Sequence, residues 1–168
     1  GKTICALVPC VEAAKRDSRR ILYLTRTNSQ QRQAINELQA IGNVTAIGFQ
    51  GRANMCLLAE ENEAFQGGDS GAISRLCATR KKRTIKSIRK GQRLDNGCRF
   101  FAHFYQLNEV PKDLTMQKVL SAEAVQGYCK VHDLCPYEIN KELVQEAQVV
   151  IAPYIYLFDP FLREQLTT

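Results

Sequence analysis

Five cysteines lie in the middle of the chain, in a segment that also carries many basic residues. They are Cys56, Cys77, Cys98, Cys129 and Cys135. None of their spacings is the short Cys-x-x-Cys of zinc ribbons and simple cluster sites, so spacing alone names no metal. Thiolates suit soft metals, and nearby cations would favour the thiolate form. The pattern predicts either a soft-metal site or a set of buried structural thiols.

The first three residues, Gly1-Lys2-Thr3, match the end of the phosphate-binding pattern Gly-x-x-x-x-Gly-Lys-Ser/Thr. In such loops the backbone N–H groups bind phosphate, the lysine reaches the β- and γ-phosphates, and the hydroxyl ligates Mg²⁺. A tripeptide is a weak match, and an exposed N-terminus without function is the alternative. Because an apolar helical stretch follows directly, we expect ATP and Mg²⁺ at Gly1, Lys2 and Thr3. Lys2 and Thr3 are the candidate catalytic residues, with the rest of the loop outside this chain.

The charge distribution favours a polyanionic partner. The net charge is +6, and residues 75–93 contain nine basic residues and no acidic one. Such a run can neutralise several phosphates of a nucleic acid. A solvated surface segment is the alternative interpretation.

The composition is that of a globular protein, with 45% hydrophobic and 24% charged residues among 168. This length suits one domain, or a core with an insertion. We find neither an apolar run long enough for a bilayer nor a signal peptide. We therefore expect a soluble intracellular protein with no membrane partner, in a compartment that keeps its thiols reduced.

Residues 1–50 carry the pattern of an α/β fold. The apolar stretch after Thr3 predicts a helix that is bent or restarted at Pro9, with Cys5 and Cys10 as core thiols. A basic loop then leads to an apolar run that is typical of a buried strand.

This strand is predicted at residues 21–25, and a helix follows it. Thr27 and Gln30 form a capping box that begins the helix, and Gly42 ends it. Residues 44–47 predict a second strand. The apolar face of the helix comprises Ala34, Ile35, Leu38 and Ile41.

Residues 51–137 lack this alternation and indicate an insertion whose core is thin and needs a cross-link. Beyond it, the pattern predicts a helix at 138–147 and a strand at 149–152. Strands that alternate with helices favour a parallel sheet in the two flanking segments.

Several motifs in a fixed order resemble one helicase family. They are Leu24-Thr25-Arg26-Thr27-Asn28-Ser29-Gln30, Arg52-x-x-x-Cys56, Asn96-Gly97-Cys98-Arg99-Phe100-Phe101, Cys135-Pro136-Tyr137-Glu138, and the aromatic stretch that ends in Asp159-Pro160. This set is similar to the XPD/DinG-type, DEAH-type DNA helicases of superfamily 2, whose first motor domain carries an inserted iron–sulfur domain. The similarity runs, with gaps, over essentially the whole chain.

The resemblance implies a RecA-like P-loop motor domain with a partial parallel sheet and a mainly helical, cysteine-rich insertion. Its expected limits are 1–50 and 139–168 for the motor and 51–138 for the insertion. It further implies a 4Fe-4S cluster held by Cys56, Cys77, Cys98 and Cys135. Cys77 has the least specific surroundings. Cys129 competes for the fourth place, which we assign to Cys135 because of its Cys-Pro-Tyr motif.

DNA contacts and unwinding polarity follow from the same resemblance. The segment around Arg26, Thr27 and Gln30 is similar to a motif that touches single-stranded DNA, and the basic run would accompany it. Arg52 would steady the cluster loop or meet a phosphate, and Tyr156 could stack a base or pack against the sheet. The implied direction of unwinding is 5′ to 3′, at a fork where the inserted domain helps to part the duplex.

The Walker B carboxylates have no counterpart here, because no Asp-Glu-x-His occurs in the sequence. The resemblance places that motif beyond Thr168, so we expect these residues to need the remainder of the motor, including motor domain 2, and to hydrolyse no ATP alone. DNA repair and a cytoplasmic, nucleoid or nuclear location are the corresponding expectations.

Two other functions fit parts of the pattern. One is a cysteine-rich nucleic-acid-binding module in which Gly1-Lys2-Thr3 is accidental. The other is a zinc-stabilised P-loop ATPase, in which His103 or His132 could join the cysteines as ligands.

Overall fold

The computed structural model of the chain describes residues 1–62, 69–107 and 109–167. Its elements follow in chain order: α1 Lys2–Arg16, β1 Ile21–Thr25, α2 Asn28–Ile41, β2 Ala46–Gly48, α3 Arg52–Met55, α4 Leu57–Glu60, α5 Ser70–Arg89, α6 Arg99–Leu107, α7 Lys112–Thr115, β3 Val119–Leu120, α8 Ala122–Val131, α9 Pro136–Glu146, β4 Val149–Pro153, α10 Ile155–Phe158 and α11 Pro160–Thr167.

The chain divides into two compact units. The first unit comprises Gly1–Gln50, Pro111–Ala124 and Asn140–Thr168, and the second unit comprises Gly51–Val110 and Val125–Ile139. All four strands belong to the first unit, whereas the second unit consists of helices and loops in its described part.

The first unit is built on a parallel sheet with the strand order β1-β4-β2-β3. Ile21 and Ala46 both pair with Val149, so β4 lies between β1 and β2. Its residues 149–152 are fully buried, as expected for a central strand covered on both faces. The predicted α/β class with a parallel sheet and a mainly helical insertion is confirmed.

Two helices cover one face of this sheet. α1 contributes Leu7 and Val11, and α2 contributes Ala34, Ile35 and Leu38, all at most 2% exposed. These positions recur every three or four residues, the spacing that places side chains on one helix face. Together with Val149 and Ile151 they form the apolar core of the first unit.

The ends of α2 are those predicted from the sequence. The hydroxyl of Thr27 accepts a hydrogen bond from the Gln30 N–H, and the Gln30 side chain accepts from the Thr27 N–H. This reciprocal pair satisfies N–H groups that a helix start otherwise leaves unbonded. Gly42 ends the helix with φ +65°, in the left-handed region that glycine adopts without strain.

The structure corrects the predictions for the first helix. α1 runs through Pro9 as one helix instead of restarting there. Pro9 and Cys5 both lie on the exposed side, so the carbonyl that loses its partner faces water. Cys5 and Cys10 are exposed and are not core thiols, because Leu7 and Val11 define a buried face that excludes them.

The predicted domain limits differ from the two compact units mainly at residues 111–124, and also at Ile139, which lies in the second unit. Residues 111–124, which the sequence placed in the insertion, belong to the first unit. The cause is β3, whose Val119 and Leu120 pair with Ala46 and Ile47 of β2. A strand of two residues carries too little periodicity to be recognised from the sequence.

Among the described residues, no helix is both long and apolar enough to cross a membrane.

One buried amide ties α2 to two strand ends of the first unit. The Gln31 Nε2 donates to the carbonyl oxygens of Phe49 and Ile151, each at 2.9 Å, and its Oε1 accepts from Gln50 at 3.0 Å. Gln31 is only 3% exposed, so water cannot replace these bonds.

We expect Gln31→Ala to lower the free energy of unfolding by about 1–3 kcal/mol for each buried polar group that it leaves unpaired. The matched control is Gln33→Ala on the exposed side of the same helix, with a change within about 0.5 kcal/mol. Urea unfolding of the two variants measures the difference. Equal losses would contradict the assignment of Gln31 as a structural bridge.

Candidate metal centre and nucleotide site

Four cysteines surround one cavity in the second unit. The lining of the cavity includes Cys56, Cys77, Cys98 and Cys135. Arg52, Lys81 and the rings of Phe100, Phe101 and Tyr137 complete most of the wall. Residues far apart in sequence, from 52 to 137, thus meet at one place.

Each cysteine lies at or near the end of a helix or within one. Cys56 separates α3 from α4, Cys77 lies in α5, Cys98 directly precedes α6, and Cys135 directly precedes α9. Pro136 begins α9, a position where the missing N–H of proline is tolerated. Four separate segments therefore bring one thiol each.

Cys129 lies elsewhere in the second unit. It is 0% exposed in α8 and is absent from the lining of the cavity. Burial raises the pKa of the Cys129 thiol to about 12, and no other cysteine contributes to that shift. Of the two residues that competed for the fourth place, Cys135 is the one at the cavity.

Burial is also the largest influence on the pKa of three thiols of the cavity. It raises the pKa of Cys77, Cys98 and Cys135, although Arg52 and Lys81 act in the opposite direction on Cys77. The nearby cations therefore do favour the thiolate form of Cys77, as predicted, but the effect of burial on its pKa is larger. The raised pKa favours the neutral form of these three thiols, and a bound metal would have to displace their protons.

Two cations reach the wall of the cavity. The guanidinium of Arg52 lies 4.5 Å from the centre of the Tyr137 ring. Its Nε is buried and has no hydrogen-bond partner among the described residues, a costly state for a donor. Lys81 forms an ion pair with Glu138 at 2.8 Å and lies 4.5 Å from the Phe101 ring centre. Sequence reasoning identified Arg52 but missed Lys81 and Glu138, although Glu138 closes the Cys-Pro-Tyr motif.

The thiols surround the cavity without converging on one point. Within residues 1–62, 69–107 and 109–167, no three His, Cys, Asp or Glu side chains are arranged to hold a single metal ion. His103 and His132 are exposed and do not line the cavity. His103 contacts the Asp133 carbonyl at 3.1 Å, and the His132 ring stacks on Tyr128.

Gly1-Lys2-Thr3 forms the start of α1. Gly1 is the N-cap residue, Lys2 is exposed, and the first turn carries no acidic side chain. Such a helix start attracts anions through its free N–H groups. The short connection from α1 to β1 and their mutual packing make the helix antiparallel to the strand. Its first turn therefore lies at the carboxyl ends of the strands, where ligands bind in parallel sheets.

The residues predicted to meet DNA in the first unit follow β1 at this edge. Arg26 is exposed, and its side chain has no hydrogen bond or ion pair within the described part of the chain. Thr27 and Gln30 are exposed too, but their side chains are engaged in the capping box of α2. The Gln30 Oε1 also accepts from the Arg26 N–H at 2.9 Å, so both residues shape the loop that presents Arg26.

The structure contradicts the base-stacking role considered for Tyr156. This residue is 5% exposed and packs edge-on against Phe49, with ring centres 5.0 Å apart. The exposed rings of this segment are Tyr154 and Phe158, at 46% and 71%. Tyr156 is the buried residue of the short helix α10, and the sequence spacing could not show which face of this single turn packs inward.

The basic run forms α5, and the structure sorts its charges onto two faces. Arg80 and Lys81 turn towards the interior of the second unit. The side chains exposed to solvent are those of Arg75, Lys82, Arg83, Lys86 and Arg89.

Comparison with known proteins gives a consistent result. The DEAD_2 family matches residues 23–168. The chain is 31% identical to a regulator of telomere elongation helicase 1 homolog of Oryza sativa subsp. japonica, over 87% of this chain and 13% of that protein.

Two further relatives are general transcription and DNA repair factor IIH helicase subunits. The XPD subunit of Dictyostelium discoideum is 24% identical, over 100% of this chain and 22% of its own length. The XPD/RAD3 subunit of Saccharomyces cerevisiae is 25% identical, over 99% of this chain and 23% of its own length. The chain thus spans less than a quarter of these relatives. The resemblance to XPD-type helicases predicted from the sequence is confirmed, and the chain belongs to the DEAD_2 family.

Proposed function

We propose that this chain forms the front part of the first motor domain of an ATP-dependent DNA helicase, with its second unit as a 4Fe-4S domain. The observation that carries the proposal is the cavity in which Cys56, Cys77, Cys98 and Cys135 meet. The names of the relatives, which are helicase subunits of transcription and DNA repair factors or regulators of telomere elongation, support the same activity.

The residues of the cavity fit a cluster better than a single ion. A tetrahedral zinc ion needs four ligand atoms about 2.0–2.3 Å from one point. The four thiols instead line one cavity without being arranged, in the described part of the chain, to hold a single metal ion. The Arg52 Nε is a buried donor without a partner among the described residues, and a cluster sulfur would accept its hydrogen bond. When bound, a cluster would cross-link the four segments that carry the cysteines, and the proposal requires no redox step.

The nucleotide site uses the start of α1. The N–H groups of the first turn would receive the phosphates, Lys2 would neutralise the β- and γ-phosphates, and the Thr3 hydroxyl would ligate Mg²⁺. The exposed position of Lys2 and the absence of acidic residues in the first turn support this role. The carboxylates that orient the attacking water would come from the remainder of the motor, together with motor domain 2.

DNA binding in each unit would rest on exposed cations. Arg26 at the edge of the sheet and the outer face of α5 would contact phosphates of the single strand and of the fork. The direction of movement, 5′ to 3′, is part of the proposal and rests on the family resemblance. DNA repair is the pathway that the relatives' names favour, with an intracellular location that is nuclear in a eukaryote.

The first test is iron analysis of the parent protein, purified without oxygen. We expect iron and acid-labile sulfide in the wild type. We also expect Cys→Ser changes at 56, 77, 98 and 135 each to abolish the visible absorption, because each thiol supplies one ligand. Cys129→Ser and the exposed Cys10→Ser are the matched controls and should keep it. A colourless wild type that contains zinc would contradict the proposal.

A second test concerns ATP. Lys2→Ala in the parent should reduce DNA-stimulated ATP hydrolysis at least about a hundredfold, because the lysine neutralises charge on the transferred phosphate. Lys15→Ala, in the last turn of the same helix, should leave the rate unchanged. These 168 residues alone should hydrolyse no ATP, and robust hydrolysis by them would overturn the need for the remaining motor.

A third test concerns the outer face of α5. Replacing Lys82, Arg83 and Lys86 with alanine should weaken DNA binding by the parent and flatten the dependence of log affinity on log salt. The expected change in slope is about 0.7–0.9 for each lost phosphate contact. The control replaces three exposed basic residues of the first unit, Lys15, Arg19 and Arg32. An equal loss in both triple variants would argue against a specific role of α5.

A further inference from the structure

One peptide group beside the cavity is held from both sides by the basic helix α5. It is the peptide that joins Gly97 to Cys98. The Cys98 N–H donates to the Thr84 Oγ1 at 2.9 Å, and Arg80 Nη1 donates to the Gly97 carbonyl oxygen at 2.9 Å. Both polar groups of a single peptide are thus bonded to side chains one helical turn apart.

Thr84 is unusual for its surroundings. It is 0% exposed, although Lys82, Arg83 and Lys86 beside it are exposed. Its hydroxyl donates to the Arg80 carbonyl oxygen at 2.8 Å, which orients a lone pair towards the Cys98 N–H. The hydroxyl therefore both donates and accepts a hydrogen bond, and no water is needed to satisfy it.

The close approach also explains the glycine before Cys98. A Cβ atom at Gly97 would lie 2.8 Å from the Thr84 Oγ1 and 2.5 Å from Leu94 Cδ1. Neither distance occurs for real Cβ atoms, so only glycine allows the chain to pass this near to Thr84. Asn96, with φ +54°, turns the chain into this approach.

The same face of α5 carries one of the cavity thiols. Thr84 follows Cys77 by seven residues, which places both on one side of an α-helix. Cys77 and Cys98 therefore share one rigid frame, since the first is part of α5 and the backbone of the second is bonded to it.

We propose that Thr84 and Arg80 are positioning residues that fix Cys98 relative to Cys77 and so control how firmly the second unit retains its cluster. This inference rests on the proposed 4Fe-4S function. Neither residue lines the cavity or needs to touch the cluster. They would act through their hydrogen bonds to the backbone beside a ligand. The loss of such supporting hydrogen bonds typically lowers metal affinity about 10- to 100-fold.

The experiment compares variants of the intact parent, purified with its cluster and then exposed to a chelator and air. Thr84→Val keeps the shape but removes the hydroxyl, and we expect it to lose visible absorption about tenfold faster than the wild type. Thr84→Ser restores the hydroxyl and should return the rate to that of the wild type. Thr79→Val is the matched control, because Thr79 is exposed on the same helix and bonds only the Arg75 carbonyl.

Arg80→Gln provides a second variant if Thr84→Val fails to fold. It removes the bond to the Gly97 oxygen from a half-buried side chain and should also accelerate cluster loss. A Thr84→Ser variant as labile as Thr84→Val would overturn the inference, as would an unchanged rate in both Thr84→Val and Arg80→Gln. A wild type without iron and sulfide would overturn the proposed function as well.

Discussion

Four cysteine thiols from separate segments of the second unit meet at one cavity, whose wall is largely apolar. Burial raises the pKa of Cys77, Cys98 and Cys135, which favours the neutral form of these three thiols. α5 itself buries few apolar side chains: it has 20 residues, of which only Ile73 and Thr84 are buried. The apolar core of the second unit comes mainly from its other segments, with Met55, Phe100 and Ile139 among the buried side chains. A group bound by the four cysteines would therefore connect α5 to the segments around it, as a cross-link does in a small domain.

α5 carries residues of the cavity on one face and exposed charges on the other. Its inner face carries Cys77 and the two side chains that hold the peptide before Cys98. Its outer face presents exposed arginine and lysine side chains. A helix separates the two by its 3.6-residue period, so one segment can serve a buried site and a polyanion without conflict. Two basic side chains of α5 do face inward, and both are paired there: Arg80 donates to the Gly97 carbonyl oxygen, and Lys81 forms an ion pair with Glu138.

In the first unit, the sheet determines where the exposed groups lie. Its sheet is parallel, so every strand ends at the same edge, and the loops after the strands supply the exposed groups. Gln31 and Asn140 satisfy backbone carbonyls at the ends of β2 and β4, with Asn140 Nδ2 donating to Gly48 at 3.0 Å. The Arg26 side chain, which follows β1, makes no hydrogen bond or ion pair within the described part of the chain.

The sequence by itself determined the elements whose signals are local. The capping box of Thr27 and Gln30, the apolar face of α2 and the strands β1 and β4 could be predicted because neighbouring residues carry the information. The ordered cysteine motifs also indicated the family, whereas the preference for Cys135 over Cys129 as the fourth cluster ligand stays a prediction.

Only the tertiary structure decided which side chains meet. It placed Tyr156 inside and Tyr154 outside, exposed Cys5, and joined residues 111–124 to the sheet through two paired residues. It also brought Thr84 to Cys98, fourteen positions away. These outcomes depend on contacts between distant segments and on which helix face is buried. Periodicity gives the faces but not their orientation, because the partner that buries one face lies elsewhere in the chain.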